Sequence, residues 1–279
     1  MKKGMKVLAG GTAVIVIGGL LWFANGFMGN PVSKALATYN TEKYIEAQYP
    51  NMGLEREETF YNFKGSNYYV RIQSPTSIDT HFSVQVSPLG KIEQDDYGNS
   101  VIGRWNTYSR IDEGYRSRVE AVFGSDDFPY ESDIDYGKLR GRMTTEEIET
   151  DELHYPNYGL IMEDLELDRD YDIAELGKTA GHIVLYVGDK EVSVKRASEI
   201  LLDIKNILDR EQVPFYAIDF VLEQYREEDE KPNPNGEAVR IQEFLYSDIY
   251  EEDLEQRIME NAAVLEAYYK EQDAKKMLK

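Results

Sequence analysis

Apolar and polar positions change period several times along this chain, and each change marks an element. From Val7 to Gly29 there is no period: 23 consecutive residues carry no charge, and most are apolar. Read as a helix at ~1.5 Å per residue, the run is roughly 34 Å long, enough for a hydrocarbon core of about 30 Å. A helical stripe comes next. Asn30 and Pro31 suit an N-cap and a first helical position. Val32, Leu36, Tyr39, Ile45 and Tyr49 recur at turn spacing, and Pro50 stops the helix. The period then falls to two. FYNFKGSNYYVRIQ reads as a hairpin turning at Lys64-Gly65-Ser66-Asn67, with Tyr61 and Phe63 on one arm and Tyr68, Val70 and Ile72 sharing a face of the other. In HFSVQV, Phe82, Val84 and Val86 alternate with Ser83 and Gln85, and IEQDDY offers one more strand after the turn at Gly90-Lys91. One helix over a small antiparallel sheet is an α+β unit. RWNTYSRIDEGYRSRVEAVFG returns to the helical period and leads out of it.

The second half opens on SDDFPYESDIDYG, acidic and broken by Pro and Gly, which reads as a linker. Thr144 and Glu147 fit a capping box before a short helix, and DIAELGKTAG reads as another helix stopped by Gly. HIVLYVG is a strand of the fully buried kind. In KEVSVKRASEILLDIKNILDREQ, Val194, Ala197, Ile200, Leu201, Ile204, Ile207 and Leu208 define an amphipathic helix. PFYAIDFVLEQY is a strand in which Tyr216, Ile218, Phe220 and Leu222 alternate. REEDEKPNPNGE (Arg226 to Glu237) is a long charged loop, functional or merely mobile, and AVRIQEFLY is a third strand. Asp248 and Glu251 open a last helix striped by Leu254, Ile258, Ala262, Leu265 and Tyr269. The order β-α-β-β-α is most of a ferredoxin-like split βαβ fold. The expected organisation is α+β throughout: a cytoplasmic tip (1–6), a transmembrane helix (7–29), a first extracytoplasmic domain (30–120) and a second (121–279).

Gly29-Asn30-Pro31, the helix ending in Tyr49-Pro50, the strand and turn Tyr61-Asn62-Phe63-Lys64 and the later IEQDDY carry a resemblance. The first hundred residues resemble the YfjL-like family of membrane-anchored proteins from Bacillus-type bacteria. The resemblance implies one N-terminal membrane helix, a small extracytoplasmic domain and a bacterial setting; it brings no reaction and no catalytic residues. In form alone, the helix-plus-sheet layout also resembles PepSY-type modules.

Charge narrows the partners. The chain has 31 basic and 52 acidic residues among 279, a net of −21. So negative a surface repels phosphate backbones, which disfavours nucleic acid. Lys2, Lys3 and Lys6 precede the apolar run, and the next charge is Lys34. The positive-inside rule therefore puts the N-terminus in the cytoplasm and the bulk outside, at the cell membrane. Ala24-Asn25-Gly26 offers a cleavage site for the competing reading, a signal peptide removed after Gly26; the length of the run favours retention. Cysteine is absent, which excludes disulfides, thiolate catalysis and lipid attachment through Cys.

Candidate chemistry is sparse. Asp168, Asp170 and Asp172 alternate as at the start of a calcium loop. Ile173 stands where that loop needs Gly, and Thr179 where it needs a bidentate Glu, so the run reads better as a solvated acidic loop or helix start. His81, His154 and His182 form no spaced ligand pair and read as structural or surface residues. Leu176-Gly-Lys-Thr-Ala-Gly181 lacks the upstream Gly of a phosphate loop, and no G-x-S-x-G occurs. Tyr61, Tyr68, Tyr69, Tyr108, Tyr115, Tyr155 and Tyr158 suit half-buried sheet faces better than a stacking surface. No motif calls for a cofactor. The expectation is a non-catalytic binding or regulatory module that meets an envelope protein or a cell-wall component. The alternatives are an envelope hydrolase with a carboxylate pair and a divalent-cation-dependent module.

Overall fold

The structure is a computed structural model describing residues 2–150, 156–225, 233 and 236–277. The chain divides into two compact units, Met1–Asn106 and Thr107–Lys279.

The first unit contains helices α1 (Lys2–Met28) and α2 (Pro31–Gln48) and strands β1 (Glu55–Asn62), β2 (Asn67–Gln73), β3 (His81–Val86) and β4 (Ile92–Asp95). The strands form an antiparallel meander in the order β1-β2-β3-β4. Tyr68, Val70, Ile72, Phe82, Val84 and Val86 are buried, the face their alternation predicts. Asn30 caps α2, its Oδ1 accepting from Ser33 N at 2.7 Å, with Pro31 in the first turn. The buried side of α2 keeps only Ile45 of the expected stripe, with Tyr49 half-buried. Ser33, Ala37, Thr41 and Ile45, four apart, face the sheet, while Val32, Leu36 and Tyr39 are exposed. Small residues win that side because they let the helix approach the strands closely.

Helix α1 forms over the uncharged run. Among the described residues, no helix is long and apolar enough to cross a membrane.

The second unit takes most of α3 (Trp105–Phe123), then β5 (Ser132–Leu139), β6 (Gly141–Arg142), α4 (Thr145–Thr150), β7 (Leu160–Ile161), α5 (Ile173–Ala180), β8 (Gly181–Asp189), α6 (Val194–Arg210), β9 (Ala217–Gln224), β10 (Ala238–Leu245) and α7 (Leu254–Met277). The units meet at 106/107, where the sequence pointed to about 120, because Ile111, Tyr115, Val119, Val122 and Phe123 of α3 belong to the second core. Part of the expected acidic linker is strand β5, which pairs antiparallel with β8. The main sheet runs β10-β9-β8-β5, with β8 and β9 parallel and adjacent across the α6 crossover. This departs from a ferredoxin-like sheet, in which another strand splits the parallel pair. Ile183, Leu185, Val187, Ile218, Phe220 and Leu222 turn one face of the sheet into the core, where the apolar stripe of α6 joins them. Helix α7 starts at Leu254, later than Asp248 and Glu251 proposed, and buries Leu254, Ile258 and Leu265 while Ala262 and Tyr269 stay exposed.

Candidate functional site

The other face of the main sheet carries polar groups. Alternation that sends Ile183, Ile218 and Phe220 into the core sends His182 and Asp219 the opposite way. Strand β10 adds Glu243 through a bulge: its register to β9 slips between Ile241 and Phe244, and Glu243 sits at φ +49°. Arg140 follows β5, its N–H fastened to Ala180 O at 2.8 Å. Tyr158 enters from the segment before β7. That entry needs Gly159, at φ +153°, where a Cβ would stand 2.9 Å from Arg140 O.

These five side chains form one network. His182 Nε2 lies 3.3 Å from Asp219 Oδ2, and its Nδ1 lies 2.6 Å from the Tyr158 hydroxyl and 3.2 Å from Arg140 Nη2. The pattern is complete when Nε2 carries the proton and Nδ1 accepts. Arg140 Nη2 donates to Glu243 Oε1 at 2.6 Å, and the guanidinium lies 4.3 Å above the Tyr158 ring. Glu243 N donates to Asp219 Oδ1 at 2.7 Å. His182 is buried, and the Arg140 and Glu243 side chains are 10% and 12% exposed. Burial pushes the Asp219 carboxyl up; hydrogen bonds from His182 and Glu243 N–H and the charge of Arg140 outweigh it and hold the group below its ordinary value. Burial, then the charge of Glu243, raises the Tyr158 hydroxyl well above its ordinary value. Burial lowers the Arg140 guanidinium, but its bond to Glu243 and the nearby charges raise it overall.

His182, Asp219 and Glu243 each offer a ligand atom, all within 4.8 Å of one another. The residues do not fit a divalent cation as they stand. The Arg140 guanidinium already binds Glu243 and His182 Nδ1, and its fixed charge would repel the ion.

A cavity of about 600 Å³ in the same unit is lined by Lys178, Asp209, Phe215, Tyr216, Leu245 and Tyr246, among others. Its aromatic wall is held from behind. Tyr246 packs edge-on against Phe215 at 5.2 Å, and its hydroxyl donates to Asp209 at 2.9 Å. Lys205 Nζ sits 4.1 Å from the Tyr246 ring centroid. Tyr216 joins cavity and network, because its ring stacks on Tyr158 at 4.4 Å.

Residues 4–96 match the model of the YfjL-like N-terminal domain, and residues 114–259 match that of the YfjL-like C-terminal domain. The chain belongs to the YfjL-like family. No curated protein matches it. A crystal structure of a DUF1672 family protein from Staphylococcus aureus subsp. aureus Mu50 is 9% identical, covering 78% of this chain and 92% of that one at a TM-score of 0.24, a likeness too slight to argue from.

Of the residues singled out from the sequence, His182 and Tyr158 belong to the network. Asp168, Asp170 and Asp172 are exposed. Asp172 caps α5, its Oδ1 accepting from Ala174 N at 2.9 Å and Glu175 N at 3.3 Å. Lys178 and Thr179 sit inside α5, with Lys178 paired to Glu175. His81 begins β3 in the first unit. His154, Tyr155 and most of the Arg226–Glu237 loop lie outside the described residues. Arg140, Asp219 and Glu243 drew no attention in the sequence. The one available signal was Asp219, a lone charge inside the apolar strand AIDFVL.

Proposed function

We propose that this chain is a single-pass, membrane-anchored extracytoplasmic protein whose second unit is a non-catalytic binding module for a cell-wall component. The preformed aromatic cavity carries the reading. About 600 Å³ lies in the range of small-ligand sites, and rings locked by Asp209, Lys205 and Phe215 lose little freedom when a sugar or peptide packs on them. Anchoring is supported by the uncharged run of α1 and the lysines before it.

The ion-paired network favours binding over hydrolysis. A carboxylate pair that cleaves glycosides needs one member kept protonated. Here Asp219 is held ionised and Glu243 is committed to Arg140. The network serves better as a rigid support behind Tyr216.

The test is thermal melting of the full chain in detergent with a wall glycan tetramer and, separately, a stem peptide. One of the two should raise Tm, and Tyr246→Ala should remove the rise while the variant still melts cooperatively. No rise with either probe would sink the cavity reading. Cleavage of a probe, lost in Glu243→Gln, would favour the hydrolase instead.

A further inference from the structure

We infer that the end of the first unit at which α1 arrives is a lipid-facing surface, seated in the phosphate layer of a bilayer. The inference rests on the anchoring reading and goes beyond it, since a tethered domain can equally stand clear of the membrane.

Topology defines this end. In the meander, the β1–β2 turn (63–66) and the β3–β4 turn (87–91) lie together, opposite the β2–β3 turn (74–80). Helix α2 starts here as well: Gly29 lies against Tyr61 and Tyr68, and Asn40 Nδ2 donates to Gly90 O at 2.7 Å. Helix α1 reaches the same place. Tyr61 OH donates to Gly26 O at 3.3 Å, and the Phe27 and Phe63 rings stack at 5.8 Å.

Two properties coincide at this end. Val32, Leu36, Phe63 and Leu89 leave apolar side chains in the open, Val32 at 68% and Leu89 at 88% exposure. Each group is followed by an exposed lysine: Lys34, Lys64 and Lys91. Residues 23–41, 59–70 and 81–92 contain no Asp or Glu, in a chain with 52 of them. Most carboxylates of this unit sit away from this end, as Glu42 and Glu46 in the second half of α2, Glu55, Glu57 and Glu58 at the start of β1, and Asp95 and Asp96 at the end of β4; Glu93, next to the 87–91 turn, is the exception. Apolar tips beside long cationic side chains match a headgroup layer: the tips enter the acyl boundary and the ammonium groups reach phosphate. The half-buried ring of Tyr61 lies at the same level, where aromatic belts form. A water-facing end has no need to combine exposed apolar tips, lysines and stretches free of acid.

The chain has no cysteine, so single-cysteine nitroxide labels test this without background. Labels go at Ile15 in α1, at Phe63 and Leu89, and at Ile78 in the opposite turn, in the full chain reconstituted into phosphatidylglycerol–phosphatidylcholine vesicles. Relaxation by oxygen and by a water-soluble nickel chelate reports depth. We expect oxygen to dominate at 15, nickel relaxation to be lost at 63 and 89, and nickel relaxation to persist at 78. The pair Lys64→Glu, Lys91→Glu should restore nickel relaxation at 89. If 63 and 89 relax like 78 while 15 lies in the bilayer, the lipid-facing surface is wrong and the anchor stands. If 15 itself is open to nickel, the anchoring reading fails first. Spin–spin broadening between labels at 89 on two copies would assign the patch to self-association and overturn the inference.

Discussion

Gly29 sits at φ +68°, and a Cβ there would stand 2.5 Å from the Tyr68 hydroxyl and 2.8 Å from the Tyr61 ring. The Tyr68 hydroxyl is not free to move, because it accepts from Asn30 N at 2.8 Å and donates to Asn30 O at 3.1 Å. Backbone strain and crowding therefore add in Gly29→Ala, which we expect to destabilise the first unit by about 1–3 kcal/mol in denaturant titrations. The network of the second unit makes two further predictions. Removing one partner of a buried ion pair strands the other, so Arg140→Met should cost about 3–5 kcal/mol. Arg140→Met with Glu243→Gln should cost less than the sum of the single changes; additive losses would mean the pair is not coupled. Asp219 has its folded pKa depressed. Its contribution is then present above the ordinary carboxylate value of about 4 and is lost as pH falls through the folded value. Asp219→Asn should be less stable than the parent at neutral pH and should lose less on acidification, giving a flatter acid limb in Tm against pH.

At the scale of elements, what the sequence revealed is what local period controls. Helix α6 buries the residues its stripe names, from Ala197 to Leu208, and Ser193 caps it with Oγ accepting from Arg196 N at 3.0 Å. The meander follows the alternation of Phe82, Val84 and Val86. Misreadings arise where tertiary contact overrules period. The stripe on α2 weighed hydrophobicity and missed that a close helix–sheet approach selects Ser33, Ala37 and Thr41. Strand β5 hid in a segment whose Asp and Gly discourage strand propensity, yet its pairing to β8 supplies the ladder. The site was still less legible. Arg140 and Glu243 lie 103 residues apart, and Glu243 turns inward only through a bulge that no pattern announces. The α2 case can be checked directly. Ile45→Ala should cost about 2–5 kcal/mol as a buried truncation, whereas Val32→Ala should stay within about 0.5 kcal/mol in detergent. Equal losses would restore the original stripe.

For the whole molecule, charge and anchoring have to be reconciled. A net of −21 repels anionic lipid, so attraction between the bulk of the protein and a membrane surface cannot hold it there. Retention would have to come from burying the uncharged helix, which salt does not screen. In cell fractionation the protein should therefore stay with membranes through a high-salt wash, leave them only in detergent, and show its full mass intact. Ile15→Arg places a charge in the middle of that helix and costs insertion about 2.5–3.5 kcal/mol, so it should shift protein out of the membrane fraction. Recovery from the medium with Phe27 as the first residue would mean that the segment is cut off after export. The lysines beside Phe63 and Leu89 would then face water, and the cavity of the second unit would serve a diffusible binder rather than one fixed at the membrane.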